Sequence, residues 1–540
     1  MSWISIVYLI LVIGATLYAS LRYVHMLQLE SYQGRMYVKW VKKHFNDDFI
    51  PFLLIGVLCM ALRSGYVLFY ANDPVLSQIM WYLADAGYLV GLVFIGFVNR
   101  KKPAKKPLKF TGRAARLLAA LAVIVVPFTF AFFFKYDIST WGGYLLVSIQ
   151  RYLPGILLPL TVILAYFITY PVEALVRGWY FNDARRKLDR QENLIKIAIT
   201  GSYGKTSTKF ILATILSEKY KTLATPGSFN TPMGVTRVIR EQLEAGHEAF
   251  IAEMGARYSG DIKELCKLVK PRYGIITSLG KQHLETFGSL EGVIATKAEL
   301  IDGLDPSGAI FLNGDNPYCV ELYEKETRVE KHLFGLDAQG AYMRADDIEI
   351  GNFGSRFTLQ SEDGEKVECT TRLLGRHNIL NIAAAAALAY RLGLTLEQIA
   401  SGIAKIKPVE HRLELIPGPV TVIDDAFNAN PEGVRHALET IKCFPGRRII
   451  VTPGMVELGA EEEALNEAFG RDMASAVDFA ILVGKSHVEP IRRGLLEEGF
   501  PEENILRVDS LAAASEKLPL LTQPGCVVLF ENDLTDNYEE

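Results

Sequence analysis

The sequence predicts a multi-domain chain: an N-terminal helical transmembrane domain, a central α/β domain built on a phosphate loop, and a smaller Rossmann-like α/β domain at the C-terminus. Three observations carry that prediction. Apolar residues crowd into five stretches near the N-terminus. A glycine-rich turn, Gly201-Ser202-Tyr203-Gly204-Lys205-Thr206-Ser207, separates a β-branched run from one of helical spacing. After that turn, short apolar runs alternate with helical patterns, as parallel α/β units do. The expected boundaries are 1–171 for the membrane domain, 172–194 for a connector, 195–407 for the central domain and 408–540 for the last.

Composition narrows the function classes. A chain of 540 residues is too long for one domain. Half of it is hydrophobic, and the excess sits in the first part. A net charge of -4, with no basic arm carrying interleaved aromatics, argues against nucleic acid as a partner. The cysteines, Cys59, Cys266, Cys319, Cys369, Cys443 and Cys526, form no C-x-x-C pair. They read as reduced, mostly buried thiols rather than a zinc site or a disulfide framework.

Crossing a bilayer takes about 20 apolar residues. The five stretches are Trp3–Ser20, Ile50–Tyr70, Ile79–Val98, Leu117–Phe134 and Leu153–Tyr170. The first lacks the basic start of a signal peptide. Basic residues follow the first span (Arg22, Arg35, Lys39, Lys42, Lys43) and the third (Arg100, Lys101, Lys102, Lys105, Lys106, Lys109, Arg113). Positive-inside then predicts an outside N-terminus and a cytoplasmic location for everything after the fifth span, in a multi-pass cell-membrane protein. Arg63 and Asp85 fall inside the second and third spans. They either carry function, as intramembrane charges often do, or pair with each other, or Arg63 snorkels to the interface. In the connector, Arg185, Arg186, Lys187 and Arg190 fit a helix at the membrane surface or a solvated charged helix equally well.

The run Leu194–Thr200 predicts a strand, and Phe210–Leu216 has helical spacing. The loop between them therefore sits where backbone amides and a helix N-terminus can wrap phosphate. Gly201 and Gly204 allow the close wrap, Lys205 reaches the β/γ-phosphates, and Thr206 offers a hydroxyl to Mg²⁺. The pattern is G-x-x-G-K-[ST]; Ile199 stands where the eight-residue form has glycine. Ala249–Met254 predicts a second strand, ending at Glu253, and Tyr273–Leu279 a third, with His283 just beyond. Ligands of open α/β sheets bind at the carboxyl ends of strands, so Glu253 and His283 share an edge with Lys205. Singly, each has a plainer reading: Glu253 as a surface acid or cap, His283 as a partly buried histidine, Lys297 as a surface lysine, Asp425 as a helix cap.

The string Ile199–Lys209 resembles the nucleotide loop of the Mur ligase family, the MurF type above all. Ordered motifs extend that resemblance across about residues 195–530. They are the Phe229–Gly234 loop with Asn230 and Thr231, Ala252–Ala256 with Glu253, Thr277–Glu285 with His283, Ala295–Glu299 with Lys297, Leu312–Asp315, Gly375–Asn381 with Asn378, His411–Glu414 with Arg412, and Asp424–Pro431 with Asp425 and Asn428. The resemblance implies a carboxylate–amine ligase that works through an acyl phosphate, with ATP and Mg²⁺ as cofactors. It implies that Gly201, Ser202, Gly204, Lys205, Thr206, Ser207, Asn378, Arg412, Asp425 and Asn428 hold the nucleotide, Asn378 at adenine and Asp425 at the ribose. It further implies catalytic roles for Lys205, Glu253, His283 and a carbamylated Lys297, metal contacts from Thr206, Glu253, His283 and Lys297, and substrate contacts from Asn230 and Thr231. Sites split between two domains imply closure.

Three departures leave the substrates open. The membrane domain stands where the family has its sugar-nucleotide domain. Phe530–Tyr538 replaces a K-G-S-R-type tail, and Val451–Gly459 replaces an L-G-D-M-x-E-L-G segment. The expected partners are a muramyl-peptide-like carboxylate acceptor, lipid-linked or otherwise presented at the bilayer, and an amino acid or dipeptide. A ligase for another peptide polymer (poly-γ-glutamate or capsule type) is one alternative. A nucleotide-driven transporter or sensor is another.

Overall fold

The computed structural model describes residues 3–30, 32–69, 73–102, 107–130, 149, 152–153, 155–227, 229–280, 287–351, 353–408, 411–426, 431–456, 458, 461–484 and 487–532. It divides into two compact units, Met1–Gly178 and Trp179–Glu540.

The first unit is helical. Its elements are α1 (Trp3–Leu29), α2 (Gly34–Lys43), a π-turn at Phe45–Phe49, α3 (Ile50–Phe69), α4 (Pro74–Lys101), α5 (Gly112–Phe130) and the start of α6 (Leu158–Asp189). Tyr23, Tyr37, Phe52, Tyr88, Leu92 and Val162 form its core. Leu54, Val90, Phe94 and Phe167 face outward. Among the described residues, four helices are long and apolar enough to cross a membrane, at Ile6–Leu29, Phe45–Ser64, Val75–Lys101 and Leu158–Asp189. The expected span Leu117–Phe134 begins in α5 and runs past the described residues.

The connector is not a separate element. Helix α6 continues through Pro171 to Asp189. Apolar composition ends near Tyr170, but the charged residues that follow keep good helix propensity, so the helix outlasts the apolar run. Ala184 and Leu188, near its end, belong to the core of the second unit.

The second unit carries two sheets. The first contains β1 (Ile195–Thr200), β2 (Thr222–Ala224), β3 (Ala249–Glu253), β4 (Tyr273–Ile276), β5 (Ala309–Asn313), β6 (Glu330–Gly335), β7 (Met343–Gly351), β8 (Gly354–Ser361) and β9 (Lys366–Thr371), in the order β2-β3-β1-β4-β5-β6-β7-β8-β9. Strands β3, β4 and β5 are buried along their whole length, which explains why they read as continuous apolar runs. One face packs on α7 (Lys205–Leu216), α12 (Arg376–Arg391) and α13 (Leu396–Ala404). The other packs on α8 (Pro232–Gln242), α9 (Asp261–Val269), α10 (Leu290–Asp302) and α11 (Pro317–Lys325). By its sequence the stretch Ala341–Leu374 looks like a β-rich insertion within the central domain; in the structure it extends this same sheet. β7 pairs parallel with β6, and β8 and β9 follow antiparallel.

The second sheet contains β10 (Glu414–Ile416), β11 (Thr421–Asp425), β12 (Arg448–Thr452), β13 (Phe479–Val483), β14 (Ile505–Val508) and β15 (Val527–Glu531), in the order β10-β11-β15-β12-β13-β14. Only β10 is antiparallel to its neighbour. Its helices are α14 (Pro431–Lys442), α15 (Glu462–Ala474), α16 (Val488–Glu497) and α17 (Leu511–Leu521). Doubly wound sheets of this kind place their ligands beyond the carboxyl strand ends.

Candidate active site

The phosphate loop occupies the β1–α7 turn. Gly204 adopts φ 78°, and a Cβ there would lie 2.5 Å from Asn381 Oδ1. At Gly201 a Cβ would lie 2.2 Å from Thr277 Oγ1. Both glycines are therefore required by space. The Ser202 amide donates to the Ser278 carbonyl at 2.7 Å, its hydroxyl donates to the Gly280 carbonyl at 3.0 Å, and the Thr277 hydroxyl donates to the Tyr203 carbonyl. The loop is thus tied to the end of β4 before any ligand arrives. Lys205 Nζ folds back onto the carbonyls of Gly201 (2.7 Å) and Ser202 (3.1 Å). Burial lowers its pKa to about 8, with Glu253 opposing and Arg412 adding to the shift.

Glu253 is the hub. Its carboxylate accepts from the Thr206 hydroxyl at 3.0 Å, from Asn230 Nδ2 at 3.0 Å and from Lys209 Nζ at 2.9 Å. Burial alone raises a carboxyl, but Lys209, Asn230 and Lys205 outweigh it and hold Glu253 below its ordinary value. Lys209 was not singled out from the sequence. Its signal is its position four residues after Lys205, one helical turn along the same face. It is fully buried, and the ion pair with Glu253 supplies its counter-charge.

Lys297, in α10, is buried at 2% exposure. Burial, reinforced by the positive charge of Lys205, brings its amine to about 7, against the pull of Asp261 and Glu299. An amine near 7 is substantially neutral at neutral pH, the form that takes up CO₂. Glu299, two residues on, accepts the backbone amides of Gly260 (2.7 Å) and Lys263 (2.9 Å) and so pins the start of α9. Thr231 caps α8 through Gly234 N–H at 3.3 Å. His283 and Asn428 lie outside the described residues.

A cleft of about 270 Å³ opens beside the loop. Tyr203, Gly204, Ser207, Asn378, Arg412 and Asp425 all line it, so the central and last sheets contribute to one site. Asn378 Nδ2 donates to the Leu374 carbonyl at 2.8 Å, which fixes its amide at the start of α12. Asp315 accepts the amides of Leu336 (2.7 Å) and Asp337 (3.0 Å), shaping the opposite wall. The sequence reading also missed a histidine stack: the rings of His377 and His436 lie 4.8 Å apart across the cleft wall. Burial, then the charge of His436, lowers His377 to about 3, so its ring is neutral.

The donor set suits a nucleotide with a hard cation. Thr206 and Glu253 present oxygen to a site at a helix N-terminus. Among the described residues no three His, Cys, Asp or Glu side chains converge.

Comparisons with known proteins bear on the family and the fold. The Mur ligase middle-domain model matches residues 199–389, and the model of the Mur ligase glutamate ligase domain matches residues 411–531. The UDP-N-acetylmuramoyl-tripeptide–D-alanyl-D-alanine ligase of Escherichia coli is 34% identical over 334 residues, which is 61% of this chain and 73% of that one. The chain belongs to the Mur ligase family. It is an ATP-dependent peptide ligase, with ATP and Mg²⁺ as its cofactors. The like-named Mycobacterium tuberculosis enzyme is 34% identical over 56% of this chain and 61% of its own. Among solved structures, MurF of Acinetobacter baumannii superimposes with a TM-score of 0.60 at 29% identity, covering 66% of this chain and 77% of its own. MurF of Thermotoga maritima, solved with ADP, gives 0.57 at 25% identity, covering 66% and 80%. The six cysteines are all free, and five are buried.

Proposed function

We propose that this Mur ligase activates a peptide carboxylate at a membrane surface and joins it to an amino acid or dipeptide, with MurF-type cell-wall chemistry as the leading case. The observation that carries the reading is the cleft that brings Gly204 and Ser207 of the phosphate loop together with Asn378, Arg412 and Asp425, next along the chain to Lys205 and to Thr206 with its partner Glu253. In that reading the loop amides and Lys205 hold the triphosphate, Asn378 addresses adenine and Asp425 the ribose. Transfer of the γ-phosphoryl group to the acceptor carboxylate depends on alignment and charge neutralisation. Arg412 supplies further positive charge from the last domain. The amine then attacks the acyl phosphate, and inorganic phosphate leaves. Thr206, Glu253, His283 and carbamylated Lys297 would hold Mg²⁺, which neutralises phosphate charge when bound. Asn230, fixed on Glu253, and Thr231 would border the acceptor.

The membrane part of the proposal rests on the four long apolar helices and their outward-facing Leu54, Val90 and Phe94. A multi-pass anchor with a cytoplasmic active site gives ATP access and presents the acceptor at the bilayer.

The test is phosphate release by the full chain in nanodiscs, with Lys205→Ala as the blank. Soluble UDP-muramoyl tripeptide and a lipid-linked equivalent are compared, each with D-alanyl-D-alanine. Turnover with either acceptor supports the ligase; preference for the lipid-linked one supports bilayer presentation. Release only with glutamate or another polymer unit moves the reading to a different peptide product.

A further inference from the structure

Strand β15 ends on Glu531, a residue for which the ligase chemistry has no evident use. It pairs in register with Asp425, at the carboxyl ends of two neighbouring parallel strands. Both side chains are fully buried. Adjacent strands lie about 4.8 Å apart, so same-face neighbours are in contact. Two carboxylates that close, both cut off from water, do not both ionise; one keeps a proton.

The surroundings decide which. Asp425 Oδ1 accepts the Leu413 amide at 3.0 Å, a donor that favours its charged form. Neither oxygen of Glu531 meets a donor from another residue. The proton therefore belongs to Glu531. Burial first, then the Asp425 charge and hydrogen bond, push its carboxyl well above the ordinary range. Other titratable groups on the elements packed around the pair are Asp424, His411 and Arg412 beside β11, Arg435, His436 and Glu439 on α14, and Glu462 and His487 near the Gly454 turn. Asp425 is the charge that acts on Glu531.

Asp425 in turn holds an unusual piece of backbone. His411 and Leu413 both sit in the left-handed region, at φ 61° and 45°. Non-glycine residues occupy that region only where neighbours hold them. Asp424 Oδ2 takes the His411 ring at 2.8 Å, and Asp425 takes the Leu413 amide. Between the two clamped residues stands Arg412, which lines the cleft and whose charge lowers the pKa of Lys205.

We propose that Glu531 is a protonated positioning residue: its O–H donates to Asp425, holds that carboxylate on the Leu413 amide, and so sets the turn that brings the Arg412 guanidinium to the nucleotide phosphates. The proposal rests on the nucleotide reading of the cleft. As pH rises through the Glu531 pKa the pair becomes two carboxylates and the turn loosens, so ATP affinity falls on the alkaline side.

The experiment measures ATP dissociation constants across pH for the full chain in nanodiscs, with thermal melts to verify folding. Glu531→Gln keeps a donor and cannot ionise. It should bind ATP like the parent near neutrality and lose the alkaline fall. Glu531→Leu, which has no donor, should weaken ATP by about tenfold at every pH, the worth of one hydrogen bond to a charged group. Infrared spectra of the parent should contain a protonated-carboxyl band that Glu531→Gln removes, a readout independent of activity. The proposal is overturned if Glu531→Gln weakens ATP as much as Glu531→Leu, or if it removes no such band. If the parent chain fails to bind ATP while the band is present, the nucleotide reading fails instead, and the carboxyl pair stands without its link to Arg412.

Discussion

Arg63 and Asp85 in the helical unit, and Lys209 and Glu253 in the α/β unit, are both buried ion pairs, at 3.1 and 2.9 Å. Their surroundings differ. Asp85 also accepts the Tyr152 hydroxyl at 3.2 Å, and the Arg63 guanidinium lies over the Trp81 ring at 3.7 Å. Those contacts turn the pair inward, onto its own helices. Glu253 instead shares its carboxylate with Thr206 of the phosphate loop and Asn230 of a loop beside it. Burial of a charge does not by itself mark a reactive site. What marks it is whether the partners of the charge lead to a place where a ligand can sit.

The comparison yields graded expectations. The largest is Lys205→Ala, which removes the loop cation proposed to meet the phosphates and should cut ligation about a thousandfold. Circular dichroism of the helical unit should stay unchanged; a coupled loss of helix there would erase the distinction between the units. Next, Lys297→Met should lower ligation about a hundredfold while ATP affinity, measured calorimetrically, holds within a factor of about two. Lost ATP binding would reassign Lys297 to the nucleotide site. Third, Lys209→Met leaves Glu253 buried without its counter-charge and should destabilise the α/β unit by about 3–5 kcal/mol in denaturant titrations. Adding Glu253→Leu should restore much of that stability without restoring ligation. The matching double change in the helical unit, Arg63→Met with Asp85→Leu, should alter stability by about 1 kcal/mol or less and ligation by less than about twofold. A large loss of turnover there would make Arg63–Asp85 functional and sink the contrast. Between the last two in size, Gly204→Ala should cost about 1–2 kcal/mol through its left-handed φ and the approach of Asn381 Oδ1, read as a lower melting temperature.

The local geometry of the candidate site was partly legible in the residues. The phosphate loop could be placed because strand, glycines, lysine and helix start are adjacent in the chain. Glu253 could be placed because an apolar run ending in an acid reads as a strand tip. Lys209 escaped, because a lysine on a helix reads as solvated until a carboxylate from another strand is brought against it. The β7–β9 stretch read as an insertion because antiparallel hairpins look alike whether they stand alone or extend a sheet. That the last apolar stretch and the charged connector helix form one continuous α6 was not legible, because composition changes at Tyr170 while helix propensity does not.

By itself the sequence determined the class of chemistry, the order of the domains and the concentration of apolar helices at the N-terminus. These follow from short-range patterns: periodicity, turn residues and motifs whose members are neighbours. The tertiary structure decided which buried acids meet which bases, that one cleft draws side chains from two sheets, and that Glu531 faces Asp425. Those facts depend on strand register and sheet order between segments far apart in the chain. Buried electrostatics follow from such long-range neighbours, because only the fold sets how far each charge lies from water and from its partner.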